Sequence, residues 1–298
     1  MSTLTKLIVY PVFAVLCLVI FSVVLFPFNS LKERAAREIE EVLGGNYSIV
    51  IGNLSPSWLG GVVLKEVEIR PRGREVEPAK LSQARLKFAL FPLLSGAVEV
   101  AFDLRPQQGR AVGSFSWKKG GMGFDVKMEQ LDLSLMRVFV EKLNIPLSGV
   151  MSGRVAMELY DQSPLKNSGL ISLKIPTLKL GEMDLAGGMV KLPALKLSGD
   201  PTSQLEVVIQ KGNFELKSFR LLGDLSLDAD GKIYGARQSE NYRFNLKGNI
   251  RLPAELIAKI PILSAIEKQK GPDGSYPFTI TGQVSKPNIR IGDFKLPI

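Results

Sequence analysis

The chain contains 298 residues, 45% of them hydrophobic, and its 38 Lys and Arg against 29 Asp and Glu give a net charge of +9. The absence of histidine from the sequence excludes His-based acid–base catalysis, Ser-His-Asp and Cys-His nucleophiles and His-ligated zinc. The single cysteine, Cys17, lies in an amino-terminal apolar run, so the remaining sequence offers no disulfide, thiolate nucleophile or Cys metal site.

The basic residues are distributed along the chain and do not cluster with aromatic residues. In the segment LISLKIPTLKLG at 170–181, for example, lysines alternate with apolar residues. This pattern disfavours nucleic-acid binding. It is typical of a solvated strand face, and the other explanation is attraction to anionic lipid headgroups. We therefore expect neither a nucleic-acid partner nor a cofactor.

An uncharged apolar run near the amino terminus, Leu7 to Phe28, matches the roughly 20 residues that cross a bilayer core as a helix. A cleavable signal peptide would have a shorter apolar core and a small-x-small cleavage site, whereas Phe-Pro-Phe-Asn follows here at 26–29. The run therefore predicts an uncleaved transmembrane anchor at residues 1–30. The residues that we expect to contact the lipid of the bilayer as part of this anchor include Leu7, Val15, Ile20, Val24 and Phe28.

The charges that flank this run do not fix its orientation. Lys6 precedes it, while Lys32, Arg34 and Arg37 follow it, and this balance leans against export of the larger part of the chain. Long domains, however, translocate largely regardless of charge. We expect the amino terminus in the cytoplasm and the rest of the chain outside it.

Residues 31–45 have the pattern of an amphipathic helix next to the membrane. Apolar residues fall at 31, 35, 39, 42 and 43, charged residues occupy the other face, and Gly44 and Gly45 provide the stop. This helix would connect the anchor to a third region, residues 46–298.

Residues 46–298 are dominated by short segments with an apolar residue at every second position. Such a period predicts antiparallel strands with one apolar face, about 14–16 of them by our count. The alternation slips by one residue within 62–69. The segments KKGGMG, KGN, LLGD and DADGK predict turns, the last a hairpin turn at Asp228–Lys232 in preference to a calcium loop.

Two segments with helical spacing, 131–143 and 252–267, interrupt the strands. Each is followed by a glycine-containing turn and a new strand. This arrangement indicates a weak internal repeat that divides residues 46–298 near residue 150. The predicted fold is mainly β, with two or three short helices.

The long apolar sheet face leaves two alternatives open. Two sheet layers could pack on each other as a sandwich with a dry core, or one face could remain open as a hydrophobic groove. The substitution Phe214→Asp would unfold a sandwich. In an open groove it would lower lipid occupancy and leave most of the fold intact. The candidate groove residues are Phe88, Phe102, Leu173, Phe214, Phe219, Phe244 and Phe278.

No catalytic or metal-binding motif emerges from the sequence. Gly120, Gly121 and Gly123 are not followed by a helix, as a dinucleotide-binding turn would require. Adjacent carboxylates do not lie in segments that resemble pocket walls. We expect a non-catalytic protein. Trp58 and Trp117 are either interfacial anchors or packed side chains, and packing is favoured.

Three segments resemble a known family. They are Gly52–Pro71 with its Ser-Trp-Leu-Gly-Gly core at 57–61, NIPLSGVMSGRVAMEL at 144–159, and Tyr276–Gly282 followed by Lys286-Pro287. Together with the amino-terminal run, they resemble the type II secretion system protein N family of the AsmA-like superfamily. The likeness covers nearly the whole chain, but its motifs are structural rather than catalytic.

This resemblance implies a single-pass inner-membrane protein of a Gram-negative bacterium whose β-rich region, an elongated and curved antiparallel sheet, lies in the periplasm. The implied function is that of an accessory component of type II protein secretion, with other secretion-system components as partners. AsmA-like relatives have β-rich grooves linked to lipid handling and outer-membrane homeostasis. The alternative is therefore a lipid-binding or lipid-transfer module that holds the acyl chains of phospholipid in a hydrophobic β-groove.

Overall fold

The structure is a computed structural model, and it describes residues 28–42, 45–57, 61–73, 78–89, 92, 96–135, 147–160, 163–185, 190–198, 202–238, 241–253, 257 and 266–295. Within these ranges no helix is long and apolar enough to span a membrane. The predicted anchor at residues 1–30 lies outside them except for residues 28–30, and it stays a prediction. Helix α1, Phe28–Val42, begins at Phe28 and overlaps the helix predicted at residues 31–45.

In the part of the chain that the structure describes, eighteen strands follow α1, and all but β9 and β10 belong to a large antiparallel sheet, as the period-two pattern predicts. The first three are β1 Tyr47–Ser57, β2 Gly61–Pro71 and β3 Ala79–Ala89. The next five are β4 Val98–Pro106, β5 Arg110–Lys118, β6 Gly121–Asp132, β7 Leu147–Leu159 and β8 Ser168–Leu180. The remaining strands are β9 Met183–Leu185, β10 Val190–Leu192, β11 Leu195–Lys196, β12 Ser203–Gln210, β13 Asn213–Leu221, β14 Ser226–Tyr234, β15 Arg243–Arg251, β16 Tyr276–Gln283, β17 Lys286–Ile291 and β18 Phe294–Lys295.

The chain divides into two compact units, Met1–Lys87 and Phe88–Ile298. Residues on both sides of position 150 belong to the second unit, and the predicted repeat about that position stays a prediction. In the first unit β1 pairs with β2, and β2 with β3. In the second unit neighbouring strands in the sheet are neighbours in the chain from β4 to β8, and again from β12 to β18. β8 pairs with both β12 and the short β11, while β9 and β10 form a separate two-stranded ribbon.

Helix α1 lies against β1 through one face. Leu31, Ala35 and Ile39 on this face are half-buried, at the spacing of successive helical turns. The Glu40 carboxylate accepts a 2.7 Å hydrogen bond from the backbone N–H of Ile49 in β1 and another of 2.7 Å from Arg72. Glu40 therefore ties the last turn of α1 to the beginning of β1 and to the residue that follows β2.

The slip in the alternation of 62–69 has a backbone cause. Glu66 has a φ of 54°, in the left-handed region, and this conformation reverses which face the following side chains occupy. Leu64 before it and Val67 after it are consequently both buried. Gly52 lies opposite, and a Cβ at that position would be 2.8 Å from the Cβ of Glu66. A glycine in β1 therefore makes room for the irregularity in β2.

A buried cluster lies at one end of the sheet in the second unit, where β4 ends and β5 begins; we call this the core end. Its residues come from five strands and from the segments beside them: Ala111, Met128, Leu133, Met151, Leu178, Leu195 and Leu197. Leu197 continues the ladder of β8 through a 2.8 Å hydrogen bond to the carbonyl of Leu178. The cluster closes the apolar side of the sheet at this end.

Two sequence expectations need correction. The prediction of a hairpin turn at Asp228–Lys232 was wrong. These residues lie within β14, which is paired with β13 on one side and with β15 on the other. Gly231 serves there as a strand residue whose Cβ would lie 2.8 Å from the Cα of Leu246. The helix predicted at 131–143 does not begin at 131, because β6 continues to Asp132 and a 3-10 turn occupies Leu133–Leu135. The rest of that segment, and most of 252–267, lies outside the described residues.

Candidate functional site

One face of the sheet in the second unit is made of apolar side chains in continuous rows, and we call it the apolar face. Residues paired directly across antiparallel strands share a face, so the register defines each row. The central row is Phe102, Gly113, Val126, Val155, Ile171, Val207, Leu216, Gly231, Leu246, Ile280 and Ile289. It crosses eleven strands, or about 48 Å at the usual strand spacing.

Two further rows flank the central one and are equally apolar. Toward the core end lie Leu104, Ala111, Met128, Gly153, Leu173, Leu205, Phe219, Ala229, Gly248, Phe278 and Ile291. On the other side lie Val100, Phe115, Phe124, Met157, Gly169, Ile209, Phe214, Ile233, Phe244, Gly282 and Pro287. None of the positions in the three rows carries a charged or hydrogen-bonding side chain.

Most large side chains of the apolar face are only half-buried. Phe124, Leu216 and Leu246, for example, all keep part of their surface exposed. Among the described residues no second sheet of comparable size lies on this face, since the strands outside the large sheet form only the β9–β10 ribbon. The described strands therefore do not build the two-layer sandwich that the sequence left open.

The structure brings six of the seven candidate groove residues onto this face. Phe102, Leu173, Phe214, Phe219, Phe244 and Phe278 all belong to the three rows, and all are half-buried. The seventh, Phe88, lies near the end of β3 and is 45% exposed. The anchor positions Leu7, Val15, Ile20 and Val24 fall outside the described residues.

Glycines that the sequence analysis missed shape the apolar face. Phe102 lies opposite Gly113, and its Cζ would be 2.9 Å from a Cβ there. Phe278 covers Gly248 in the same manner, at 2.7 Å, and Leu173 covers Gly153, at 3.0 Å. In each pair a large side chain from one strand occupies the space left by a glycine on the next. A signal was present, since isolated glycines within strand patterns often mark close approach.

The apolar face is closed at the core end and more open at the other. The buried cluster lies at the core end, whereas Val98, Trp117 and Met122, which share one row near the opposite end, are 36–62% exposed. Ile209 departs from this gradient, being only 1% exposed. An elongated apolar ligand would therefore have contact along the face and access from the end opposite the buried cluster.

The opposite face of the same sheet is polar, and oppositely charged side chains pair across its strands. Asp103 accepts hydrogen bonds of 2.9 Å and 2.8 Å from Arg110, and this bonding lowers the pKa of its carboxyl below the usual value. Asp125 is paired with Arg154, whose hydrogen bonding likewise lowers the pKa of the Asp125 carboxyl. Cross-strand ion pairs of this kind stabilise the pairing of neighbouring strands, and the charges of the two partners neutralise each other.

Shallow depressions on the polar face offer no evident chemistry. One of them encloses about 860 Å³ and is lined by Lys127, Glu129, Arg154, Lys174 and several serines. Lys127 forms an ion pair with Glu129 at 2.8 Å, and Arg154 forms one with Asp125. Within the described ranges no group of three or more His, Cys, Asp or Glu residues could hold a metal ion. The apolar face is therefore the stronger candidate site.

Comparison with known proteins does not assign the chain to a family: no family model, no curated protein and no solved structure matches it.

Proposed function

We propose that this protein binds lipid and holds acyl chains against the apolar face of its large sheet. The observation that carries the proposal is the set of three uncharged rows across eleven strands, with large side chains left half-buried. Soluble domains rarely leave contiguous apolar patches of more than a few hundred Å² in water, and larger ones mark interaction sites. A partner that covers this face is therefore expected.

The chemistry of the face favours acyl chains as that partner. Interior strands have their backbone N–H and C=O groups paired with neighbours on both sides, so the face offers apolar contact and no hydrogen bonds. A saturated hydrocarbon chain needs none, and each CH₂ group that leaves water contributes about 0.8 kcal/mol. A groove in which the sheet curves around the ligand, as in the AsmA-like proteins that the sequence resembles, is the arrangement that this proposal expects.

The association with type II protein secretion is a separate proposal, and it rests on the sequence resemblance alone. So do the inner-membrane location and the periplasmic side of the β-rich region. Holding lipid is compatible with both, since a membrane-anchored protein would meet phospholipid directly. Crosslinking of the full chain in cells, followed by identification of attached secretion-system components, tests this association independently of lipid binding.

A photoreactive residue in the centre of the apolar face tests the lipid-binding proposal. Leu246→p-benzoylphenylalanine places the photoreactive group in the central row, between Gly231 and Ile280. Lys247→p-benzoylphenylalanine is the matched control, because it lies next in β15 and is exposed on the polar face. After irradiation of cells that express the full chain, mass spectrometry should find phospholipid attached at position 246 and not at 247.

Two results would contradict lipid binding at this face. One is a chain that carries no lipid adduct at position 246 although the benzophenone has reacted with other molecules. The other is equal labelling at positions 246 and 247, which would indicate general contact with membrane rather than binding at one face. A protein adduct confined to position 246 would point to a protein partner in place of lipid.

A further inference from the structure

A second surface lies at the end of the sheet opposite the core end, where it adjoins the apolar face and shares Trp117 and Met122 with it. Antiparallel pairing brings five connections together there, and we call this surface the rim. They are the turns at Lys119–Gly120, Lys211–Gly212 and Val284–Ser285, and the connections after β7 and after β14. Register confirms their common position, since Val98 pairs with Trp117, Met122 with Leu159, and Tyr234 with Arg243.

The rim concentrates large apolar and aromatic side chains that are exposed to solvent. Trp117 is 62% exposed, although packing was the favoured explanation from sequence. The other exposed members of this group are Met122, Tyr160, Leu165, Tyr234 and Val284. These side chains come from four of the five connections, yet they share one end of the sheet.

The rim is also strongly basic. Its exposed cations are Lys118, Lys119, Lys166, Lys211, Arg237 and Lys286. The connecting residues that the structure describes at this end contain neither Asp nor Glu. By sequence, Asp161 and Glu240 belong to two of the connections, and Glu158 is exposed near the end of β7, so the six cations remain in excess. Within the described part of the chain, none of the six cations forms an ion pair, in contrast to the paired cations of the polar face.

We infer that the rim docks on the surface of a bilayer that contains anionic phospholipid. Basic side chains are attracted to the negative surface of such a bilayer, and aromatic and aliphatic side chains beside them insert at its interface. Tryptophan and tyrosine are suited to this position because they combine an apolar ring with a polar group. A single-stranded nucleic acid would also meet cations and aromatics, but it would not require the exposed Met122, Leu165 and Val284.

The inference goes beyond acyl-chain binding and does not depend on it. The rim adjoins the open end of the apolar face, where Val98, Trp117 and Met122 share a row. A rim seated on a bilayer would bring that open end to the membrane surface. The chain therefore carries one surface for acyl chains and a second for the membrane from which such chains could come.

Vesicle binding by the full chain tests the inference. The chain, held in phosphatidylcholine nanodiscs, is mixed with vesicles of phosphatidylcholine alone or of phosphatidylcholine and phosphatidylglycerol in equal amounts. We expect binding only to the anionic vesicles. Lys118→Glu/Lys119→Glu should weaken that binding about tenfold or more, because each basic residue near an anionic surface contributes substantially. Lys166→Glu/Lys211→Glu, on two other connections, should do the same.

Lys268→Glu/Lys270→Glu is the matched control, because it makes the same change of net charge at exposed positions of the core end. Binding by this control should stay within about twofold of that by the unchanged chain. In a Trp58→Phe background, Trp117 is the remaining tryptophan, and brominated acyl chains in the anionic vesicles should quench its fluorescence. Circular dichroism confirms that each variant is folded.

The inference is overturned if the unchanged chain does not bind anionic vesicles. It is also overturned if the control double variant loses as much binding as the two rim double variants. Vesicle binding without quenching of Trp117, together with tight binding of a single-stranded DNA oligonucleotide, would indicate a nucleic-acid surface instead. Lipid attachment at position 246 is measured separately, so failure at the rim leaves the acyl-binding result unaffected.

Discussion

The Phe278 ring covers Gly248 on the neighbouring strand, and this pair illustrates how single residues shape the apolar face. Phe278 Cζ and Cε1 would lie 2.7 Å and 2.8 Å from a Cβ at position 248. Real Cβ atoms do not approach other atoms so closely, so the ring occupies the space of the missing side chain. An aromatic ring in this position fills a gap in the face and protects the backbone of the glycine strand.

Gly248→Val should therefore destabilise the second unit. The added side chain would collide with the Phe278 ring and with the carbonyl of Asp228, and such overpacking costs about 1–3 kcal/mol. The measurement is the midpoint of thermal unfolding by circular dichroism. Asn249→Ala changes the next residue, which is exposed on the other face, and should leave the midpoint nearly unchanged. Equal midpoints for Gly248→Val and the unchanged chain would mean that the ring does not occupy this space.

Asp103 provides a residue-scale prediction with a pH dependence. Because hydrogen bonding from Arg110 lowers the pKa of Asp103 in the folded state, the ionised carboxylate stabilises the fold at neutral pH. This contribution is fully present above the unfolded-state pKa of about 3.9 and is lost as the pH falls through the lower folded-state pKa. Asp103→Asn should thus be less stable than the unchanged chain at pH 7, and the difference should vanish in strong acid.

Denaturant titrations of both chains across this pH range measure the effect. Asp228→Asn is the control, because the Asp228 carboxylate is 58% exposed and meets Arg220 through a single 2.9 Å contact. We expect a smaller loss from this change than from Asp103→Asn. A difference between Asp103→Asn and the unchanged chain that does not shrink with acidification would assign the effect to packing rather than charge.

At the scale of elements, the Glu40 carboxylate attaches the last turn of α1 to β1, while Lys32 Nζ near the other end of the helix donates a 3.2 Å hydrogen bond to the carbonyl of Gly52. Glu40 is 17% exposed and accepts hydrogen bonds from Ile49 and Arg72 at once. Glu40→Ala would leave the partly buried Ile49 N–H without this partner, at a cost of about 1–2 kcal/mol. The loss should fall on α1 and the start of β1, so hydrogen exchange of amides in these two elements should accelerate.

Hydrogen exchange followed by peptide mass spectrometry makes this measurement in the full chain. Glu38→Ala is the control, because Glu38 is 65% exposed and its ion pair among the described residues is with Arg34, at 3.8 Å on the same helix. Its exchange rates should match those of the unchanged chain. If Glu40→Ala also leaves the exchange of α1 unchanged, the apolar contacts and the Lys32–Gly52 hydrogen bond suffice to hold the helix in place.

The elements that sequence predicted well are those with a clear period. The spacing at 31, 35 and 39 predicted α1, and alternation predicted the strands together with the turns at Lys119–Gly120 and Lys211–Gly212. The exception at Asp228–Lys232 is instructive, because Asp and Gly are the usual residues of tight hairpin turns. Here the two aspartates face the polar side of the sheet, and Gly231 provides space opposite Leu216 and Leu246. Local turn chemistry was overridden by pairing with both neighbouring strands.

At the scale of the whole molecule, the substitution Phe214→Asp distinguishes an accessible apolar face from a dry core. Phe214 is half-buried in the apolar face, in the same row as Ile233 and Phe244. A charge there should lower lipid attachment at position 246 several-fold. The chain should still unfold cooperatively, because the carboxylate keeps access to water. Phe214→Leu, which conserves apolar character, is the control and should retain most of the lipid attachment.

Two measurements decide the outcome: lipid attachment at position 246, and the thermal midpoint of each variant. If Phe214→Asp fails to fold while Phe214→Leu folds, the face is a closed core that does not tolerate a charge. If both variants fold and label with lipid to the same extent, position 214 does not contribute to binding.

The choice between one open sheet and two packed layers lay beyond the sequence for a physical reason. A period of two shows that one side of each strand is apolar, but it does not show what lies against that side. The same limit applies to Phe102, Leu173 and Phe278, whose placement on one face depends on a register that only pairing reveals. The rim was missed because Trp117, Leu165 and Tyr234 are far apart in sequence.

The order of strands in the second unit has a consequence for how such a chain could change over generations. Within the runs β4 to β8 and β12 to β18, strands that are consecutive in the chain pair with each other, through short connections in most cases. Duplication or deletion of a pair of strands would therefore widen or narrow the sheet by about 10 Å without repositioning the others. The extent of the apolar face is in this sense modular. A gene that gains or loses single hairpins could adjust how much hydrocarbon its product accommodates while keeping both ends of the sheet.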